Sequence, residues 1–597
     1  MALKAILAKG VLQWTRVGEK MDRITLSMLK EFDENMGITE KELTLNFEYF
    51  VNYSIISDEY GTSDFDLMDI STGTGTQGMD GIGIIVNQKL VQTTGDIDEL
   101  IALNQSMSVK FIIIQTKTSS SFDNMEISNL FTYSSLFFGE NDELFKTEEM
   151  KKFLELKNYI FDNGNKLRKN PELCLYFVTL GAWNEDDSNL ISTVNVGKNT
   201  LLNTNLFSSI DFYAVGSSEL QNIYRKSKEK LTATFEFSKR VTMYSENSDE
   251  VGYCGVVPFR EFKKLLLNDN GSIKPVFEDN IRDYLGPDED VNKNVKETLN
   301  KGENNSFCML NNGVVIVTSI INIPGDMATI EDYQIVNGCQ TCNILLENMD
   351  DSPNIDELLI PIRIISTKNE NLKNDITRAT NRQTAIKKEQ LEALSTFQKK
   401  LEEYYKTYTE DDSLVYERRS GQYRDGAIAK NRIVTIPTQI KTVAAMFLNQ
   451  PGEVSGQYGT VQKRVGDKIF KVSDKPIIYY VSSLAYYKIE NLFRIGSLDK
   501  KYRRCRYHAM MLFRMVVSDV EMPRFNAKKM EDYCQKLLDI LQNDFECDRY
   551  FKAIVGYIIS VGEEIDIDNR KCFERKETAK YFIDHIDDIK QYVNNNV

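Results

Sequence analysis

Two short apolar runs with polar residues at particular ends are the clearest feature of the hydrophobic pattern. Residues 81–86 and 111–114 each have the length of a buried strand. Asp80 stands where the first run begins, and Gln115 and Lys117 stand where the second run ends. Residues two apart on a strand face the same side, so Gln115 and Lys117 share a face. The pattern predicts polar side chains grouped at the ends of two buried strands.

Periodic segments on both sides of these runs predict further elements. Helices are expected at residues 1–30, 40–60, 124–138 and 147–163, a hairpin at 81–91, and strands at 110–117, 174–180 and 211–215. This succession of helices and strands is typical of a mixed α/β domain.

A polar break at residues 247–250 predicts a domain boundary. Beyond it, strands are expected at 306–319, 330–337 and 359–367, with helices at 339–349 and from 370. Long helical patterns dominate from about 391. The chain is therefore divided into a helical extension (1–40), a mixed sheet with flanking helices (41–245), a central α/β domain (246–390) and a mostly helical C-terminal region (391–597).

Composition limits the number of domains, the cellular compartment and the mode of nucleic-acid binding that can be expected. A chain of 597 residues is long enough for several domains, and no apolar run reaches the roughly 20 residues that a membrane span needs. Nine scattered cysteines fit a reducing compartment, so a cytoplasmic location is expected. The net charge of -15 argues against binding nucleic acid over the whole surface, but it permits a local basic groove.

Histidine is scarce, which limits the chemistry available. His508 and His585 are the two histidines of the chain. This excludes histidine-rich zinc sites and leaves little material for a Ser-His-Asp triad. Carboxylate and lysine chemistry remains. An acid that holds Mg²⁺ (or Mn²⁺), together with a lysine beside the attacking water or phosphate, would suit a metal-dependent phosphodiesterase.

The Asp80…Gln115-x-Lys117 pattern resembles the PD-(D/E)xK nuclease fold, in the variant of Mrr-like restriction enzymes where glutamine replaces the last acid. The resemblance implies DNA cleavage with Asp80 and Gln115 as metal ligands and Lys117 as the catalytic lysine. It also implies a glutamate on the preceding helix, for which Glu48 is the candidate. The acids that could replace it are Asp58, Glu59, Asp64, Asp66 and Asp69. Because glutamine is uncharged, weak metal binding or a need for an activating trigger is expected.

A second set of motifs lies in the central region, at residues 276–282, 307–314, 334–341 and 377–384. Asn-Gly pairs are ordinary turn formers. The repeated amides and arginines would additionally suit a pocket for a phosphate or a nucleotide. The candidate pocket residues are Arg282, Asn312, Asn337 and Gln340.

These motifs, in this order behind an Asp…Gln-x-Lys domain, resemble the abortive-infection phage-resistance (AIPR) proteins of bacteria. The resemblance covers roughly residues 42–390 and is strongest at 311–313 and 335–341. It implies a role in phage defence with an N-terminal nuclease-like domain. We further expect a phage-derived trigger or nucleotide ligand, and a homo-oligomer with the C-terminal region serving assembly or regulation.

Two alternatives remain open. Gln115 in place of an acid favours a non-catalytic sensor or adaptor with a degenerate nuclease fold. Arg503 and His508, with four residues between them, have the spacing found in HEPN-type ribonucleases, which need no metal. Basic clusters around 387–388, 418–432, 463–464 and 500–506 could line a nucleic-acid channel.

Overall fold

The fold is described from a computed structural model of the chain. It describes the whole sequence except residues 1–20, 39–41, 62–64, 74–77, 140–141, 229–230, 245–249, 269–270, 272, 275, 278–306, 310, 350–353, 370–371, 374, 377–378, 380–387, 410–412, 419–421, 424–427, 457–464, 466–467, 519 and 570.

The first part of the chain forms a five-stranded mixed sheet. Its strands are β1 (Gly81–Val86), β2 (Lys89–Leu90), β3 (Val109–Thr116), β4 (Glu172–Val178) and β5 (Ser209–Val215). Their order is β2-β1-β3-β4-β5. Strand β1 runs antiparallel to β3, whereas β3, β4 and β5 are mutually parallel. The start of β1 and the end of β3 therefore lie at the same edge.

Helices cover both faces of this sheet. They are α1 (Arg23–Met36), α2 (Leu43–Tyr60), α3 (Leu67–Ile70), α4 (Thr94–Asn104), α5 (Asn124–Phe138), α6 (Glu148–Asp162), α7 (Ser188–Leu202) and α8 (Ser217–Lys226). Phe111 and Ile113 of β3 join a core with α5 and α6, whereas Ile112 and Ile114 join a core with α2. Burial on both faces explains why this strand is an unbroken apolar run.

The predicted hairpin is present, with Asn87 and Gln88 at positive φ (47° and 66°) in its turn. Helix α4 lies between the hairpin and β3, in a stretch for which no element was predicted. It begins with a capping box in which Thr93 accepts from the Asp96 N–H and Asp96 accepts from the Thr93 N–H.

The central part forms a six-stranded sheet with the order β6-β10-β9-β11-β8-β7. The strands are β6 (Thr232–Glu236), β7 (Lys239–Tyr244), β8 (Val251–Pro258), β9 (Val314–Asn322), β10 (Met327–Asn337) and β11 (Leu359–Ser366), accompanied by α9 (Phe259–Phe262) and α10 (Cys339–Glu347). Strands β6 and β7 precede the predicted boundary at 245/246, which therefore passes through this sheet. Ala233 and Phe235 alternate into its core.

The C-terminal part is mostly helical, as predicted. Its helices are α11 (Lys388–Tyr405), α12 (Ile436–Phe447), α13 (Pro451–Gly456), α14 (Pro476–Arg494), α15 (Arg506–Val517), α16 (Lys529–Gln542), α17 (Asp544–Ser560), α18 (Gly562–Ile565), α19 (Lys576–Asp584) and α20 (Ile586–Asn596). A short parallel pair, β12 (Val415–Glu417) and β13 (Ile433–Thr435), joins them. One large apolar core runs through these helices. The expected mixed α/β fold class is confirmed.

Two glycines of the central motifs lie at positions where the backbone has a positive φ. Gly313 precedes β9 with φ 80°, and Gly338 precedes α10 with φ 98°. A Cβ on Gly338 would lie 2.9 Å from Val314 Cγ2 and 3.1 Å from the Gly313 carbonyl oxygen. The Asn-Gly pairs thus have a turn-forming role, as their composition indicates.

Replacing Gly338 with alanine is expected to lower the free energy of unfolding by about 1–3 kcal/mol, because the new Cβ meets both an unfavourable φ and a close neighbour. Gly164→Ala is the matched control, since no atom lies within 4 Å of its Cβ position. Urea unfolding of the two variants checks this, and equal stabilities would contradict it.

Candidate active site

Asp80 is anchored at the edge where β1 begins and β3 ends. Its Oδ2 accepts hydrogen bonds from the Thr116 backbone N–H at 2.6 Å and from the Thr116 hydroxyl at 3.0 Å. Its backbone N–H donates to the Ile114 carbonyl at 2.7 Å, and its own carbonyl accepts from Asn52 Nδ2 at 2.8 Å. The carboxylate is therefore fixed by β3, and α2 is tied to the same point.

Gln115 and Lys117 lie beside Asp80 at the end of β3. Both meet Glu126, on the first turn of α5. Lys117 Nζ lies 3.0 Å from Glu126 Oε2, and Gln115 Nε2 donates to the same oxygen at 3.4 Å. The Lys117 and Glu126 side chains are 36% and 33% exposed, so this edge opens to solvent.

Glu48 joins the group from α2. It lies one helical turn before Asn52, which is bonded to the Asp80 backbone, and the two share a helix face. The pKa of Glu48 is raised to about 8, chiefly by burial and then by the nearby Asp80 and Glu42 charges, while the Lys117 ammonium acts in the opposite direction. Burial also raises the pKa of Asp80, against the two hydrogen bonds from Thr116. Two carboxyl groups are thus held close together with little solvent to offset their charge.

The donor set fits a hard divalent cation. Gln115 Oε1 is buried and has no hydrogen-bond partner among the described residues, while its Nε2 is turned to Glu126. An amide oxygen and two crowded carboxyl groups are oxygen ligands of the kind that Mg²⁺ binds. No group of three or more His, Cys, Asp and Glu side chains suited to a metal occurs in the part of the chain that the structure describes.

Three residues of the candidate site were not identified from the sequence. Glu126, Thr116 and Asn52 complete the site. Glu126 and Asn52 lie outside the Asp…Gln-x-Lys pattern, and Thr116 is its unspecified position x. Glu126 follows Asp123, which caps α5, so its spacing indicated a helix start rather than a site. Their proximity to Asp80 depends on the strand pairing and cannot be read from the local sequence.

The proposed substitutes for Glu48 are engaged elsewhere where they are described. Glu59 pairs with Lys110 at 3.2 Å, Asp69 with Lys152 at 3.5 Å, and Asp66 with Arg503. Asp58 also has a partner, and Asp64 lies outside the described residues. Among the acids named from the sequence, Glu48 is thus the one that the fold places near Asp80.

The central motifs gather at one edge of the six-stranded sheet. Asn312 is exposed just before β9, Asn337 ends β10, and Gln340 lies on the first turn of α10. Asn311 links these pieces, because its side chain bonds both the Gly313 N–H and the Thr341 hydroxyl. Arg282, the cation of the predicted pocket, lies outside the described residues.

Comparison with protein families gives one result. A profile described as "AIPR protein" matches residues 277–596, which is more than half of the chain.

The chain belongs to the AIPR family.

Membership indicates abortive infection, and hence antiphage defence. The family match, at residues 277–596, begins and ends later in the chain than the resemblance seen in the sequence, which covered roughly residues 42–390. It takes in β9 to β11 and the C-terminal helices, but not the β1–β5 sheet. No curated protein and no solved structure matches the chain. None of the helices described in this AIPR protein is long and apolar enough to cross a membrane.

The ribonuclease alternative is not supported by the surroundings of its two residues. His508 is fully buried between Phe573 and Phe582, at ring distances of 5.3 and 5.9 Å, and its ring nitrogens have no hydrogen-bond partner among the described residues. Burial lowers the pKa of His508 to about 3. Arg503 is bonded to Asp66 and Glu490 instead. A neutral, enclosed imidazole cannot protonate a bound RNA.

The same burial predicts a pH effect on stability. Because the His508 pKa is lowered in the folded state, the unfolded chain binds the extra proton below about pH 6.5, and folding loses stability as the pH falls. Burial of His508 should lower the free energy of unfolding by about 2 kcal/mol when the pH falls from 7 to 5. In His508→Leu that part of the pH dependence should disappear.

Urea unfolding at both pH values checks this, with His585→Leu as the control that removes the other, partly exposed histidine. A His508→Leu variant that keeps the full wild-type difference would show that the imidazole is not buried neutral.

Proposed function

We propose that this AIPR protein is an antiphage effector that hydrolyses phosphodiester bonds of DNA as a Mg²⁺- or Mn²⁺-dependent endonuclease. One observation carries the proposal. Acids from two elements, a lysine, and an amide oxygen that has no hydrogen-bond partner in the described part of the chain meet at one solvent-open edge of the five-stranded sheet. Burial of charged groups is costly, so their assembly at one point calls for a ligand of opposite charge.

The cation would be held by Glu48, Asp80 and the Gln115 Oε1 atom. When bound, a divalent ion supplies Lewis-acid stabilisation of the phosphate and a more acidic water. The chain itself contributes the framework. The Thr116 N–H holds the Asp80 carboxylate in place, and the α2 turn from Glu48 to Asn52 brings the second acid.

Lys117 is the residue that would act on the reacting groups. Its ammonium offsets charge on the phosphate and orients the attacking water through a hydrogen bond. Glu126 is a positioning residue in this scheme, because its 3.0 Å ion pair fixes where the Lys117 ammonium lies. Both side chains are partly exposed, which leaves room for a nucleic-acid backbone to reach them.

A binding-only role is the second candidate. The uncharged Gln115 favours it, since a site with two acids holds a cation less tightly than one with three. Such a protein would bind DNA through the same edge and pass the signal to another effector.

Lys117→Ala is expected to lower Mg²⁺-dependent cleavage of plasmid DNA by about 100-fold or more, as loss of a charged transition-state contact does elsewhere. Lys169→Ala is the matched control, since Lys169 is exposed, 57%, and pairs only with Glu172 among the described residues. Both proteins should unfold at the wild-type temperature.

Cleavage is measured with Mg²⁺, with Mn²⁺ and with EDTA, each with and without lysate of phage-infected cells. Cleavage by Lys117→Ala at the wild-type rate would refute the assignment. DNA binding without cleavage in any arm would favour the sensor.

Cation binding gives a separate test that needs no turnover. Asp80→Asn and Glu48→Gln should each weaken Mn²⁺ binding by about tenfold or more in calorimetry, because each removes an anionic oxygen ligand. Asp162→Asn, at an exposed position of the same part of the chain, should bind as the wild type does. Unaltered binding in both site variants would place the cation elsewhere.

A further inference from the structure

A large cavity lies between the first part of the chain and the C-terminal helices. Its volume is about 1030 Å³, which is the size of a pocket for a sizeable organic ligand. One wall comes from α2, the segment at 65–69, the hairpin end at Lys89–Val91 and α4. The opposite wall comes from β13, α12, α14 and the 3₁₀ turn at Lys500–Cys505.

The wall is more basic than the protein as a whole. Among its described residues are nine lysines and arginines and seven acids, in a chain whose net charge is -15. The basic cluster at 500–506, expected on the sequence to meet nucleic acid, contributes four of the nine. Arg503, Arg504 and Arg506 of this cluster are partly buried in the cavity wall, whereas Lys500 is exposed. A contact of the cluster with nucleic acid stays a prediction.

Part of this positive charge is already neutralised by ion pairs. Arg503 contacts Asp66 and lies 2.8 Å from Glu490, and Arg506 lies 3.2 Å from the same glutamate. Lys152 lies 3.5 Å from Asp69. The Arg503–Asp66 pair joins the two sides of the cavity, because Asp66 belongs to the first part of the chain, whereas each of the other pairs lies within one side.

Two guanidinium groups retain unused donors. Arg494 Nη1 and Arg504 Nη1 are buried with no hydrogen-bond partner among the described residues. Arg504 has one acidic neighbour, Glu148, at 3.5 Å from its other terminal nitrogen. A buried N–H without an acceptor costs free energy, so a side-chain rotation that turns either group into the adjoining cavity would gain from an acceptor there. A phosphate oxygen is an acceptor that guanidinium geometry matches well.

Aromatic rings complete the lining. Tyrosines from both sides reach the cavity, among them Tyr49, Tyr60, Tyr423, Tyr486 and Tyr487. Planar rings beside arginines favour a ligand that combines an anion with a flat heterocycle, because the base stacks while the phosphate is held by the guanidinium groups.

We propose that this cavity binds a nucleotide whose phosphate is held by Arg494 and Arg504. The ligand would contact both walls and so bind only when the first part of the chain and the C-terminal helices are together. The site is distinct from the edge that carries Asp80 and Lys117, and from the central motifs where a nucleotide pocket was expected. It does not depend on the proposed nuclease activity.

The test is calorimetry on the full chain with ATP, AMP, cyclic di-AMP, adenosine and pyrophosphate. At least one of the three nucleotides should bind with a dissociation constant below 1 mM and raise the melting temperature, whereas adenosine and pyrophosphate should bind at least tenfold more weakly. Binding by none of the nucleotides would overturn the proposal. Equal binding of pyrophosphate or of adenosine would also overturn the nucleotide assignment.

Variants locate the site. Arg494→Gln and Arg504→Gln should each weaken the bound nucleotide about tenfold or more. Arg549→Gln is the matched control, since Arg549 lies on α17 of the same helical region, 38% exposed and outside the cavity wall. Arg494→Lys keeps the charge and should retain most of the affinity if Arg494→Gln fails to fold. Losses no larger than that of Arg549→Gln would overturn the location.

Discussion

The hydrogen bond from the Thr116 backbone N–H to the Asp80 carboxylate, 2.6 Å long, sets the geometry of the candidate active site. It depends on the antiparallel register that pairs Gly81 with Ile114. A shift of one residue would turn Asp80 to the other side of β1 and would separate it from Lys117. The two glycines of β1 oppose such a shift, because a Cβ at the position of Gly81 or Gly83 would lie 2.4 Å from Asn52 or Ile56 of α2.

Charge is the second constraint on this edge. The Asp80 charge raises the pKa of Glu48, the Glu126 charge raises that of Asp80, and burial leaves little water around Glu48 and Asp80 to screen this repulsion. Lys117 offsets part of this repulsion, but Glu126 competes for the same ammonium at 3.0 Å. Because Gln115 is uncharged, it adds no further negative charge to this edge. The same glutamine that would weaken the binding of a cation therefore lessens the electrostatic cost of assembling the site.

The local periodicity of the sequence was enough to predict several strands and helices. The β3 strand, helices α5 and α6 and the helical C-terminal region were all expected, because their apolar positions repeat with the period of the element. Strands β6 to β8 were not, since their alternation is short and interrupted by polar residues. Asp80, Gln115 and Lys117 could be named from two strand ends. Glu126 and the Arg503–Asp66 pair could not, because long-range packing alone brings those residues to their partners.

A hydrogen bond joins the part of the chain that matches the family to the first hairpin of the five-stranded sheet. Gln88 Nε2, in the turn of the first hairpin, donates to Asn343 Oδ1 of α10 at 3.0 Å. Strand β1 lies between that turn and Asp80, and its six residues span about 20 Å. A stiff, buried strand transmits displacement along its length better than a loop does. A movement of α10 would therefore be passed along β1 to the Asp80 carboxylate. Through this strand, the central sheet would be coupled to the acidic edge of the five-stranded sheet.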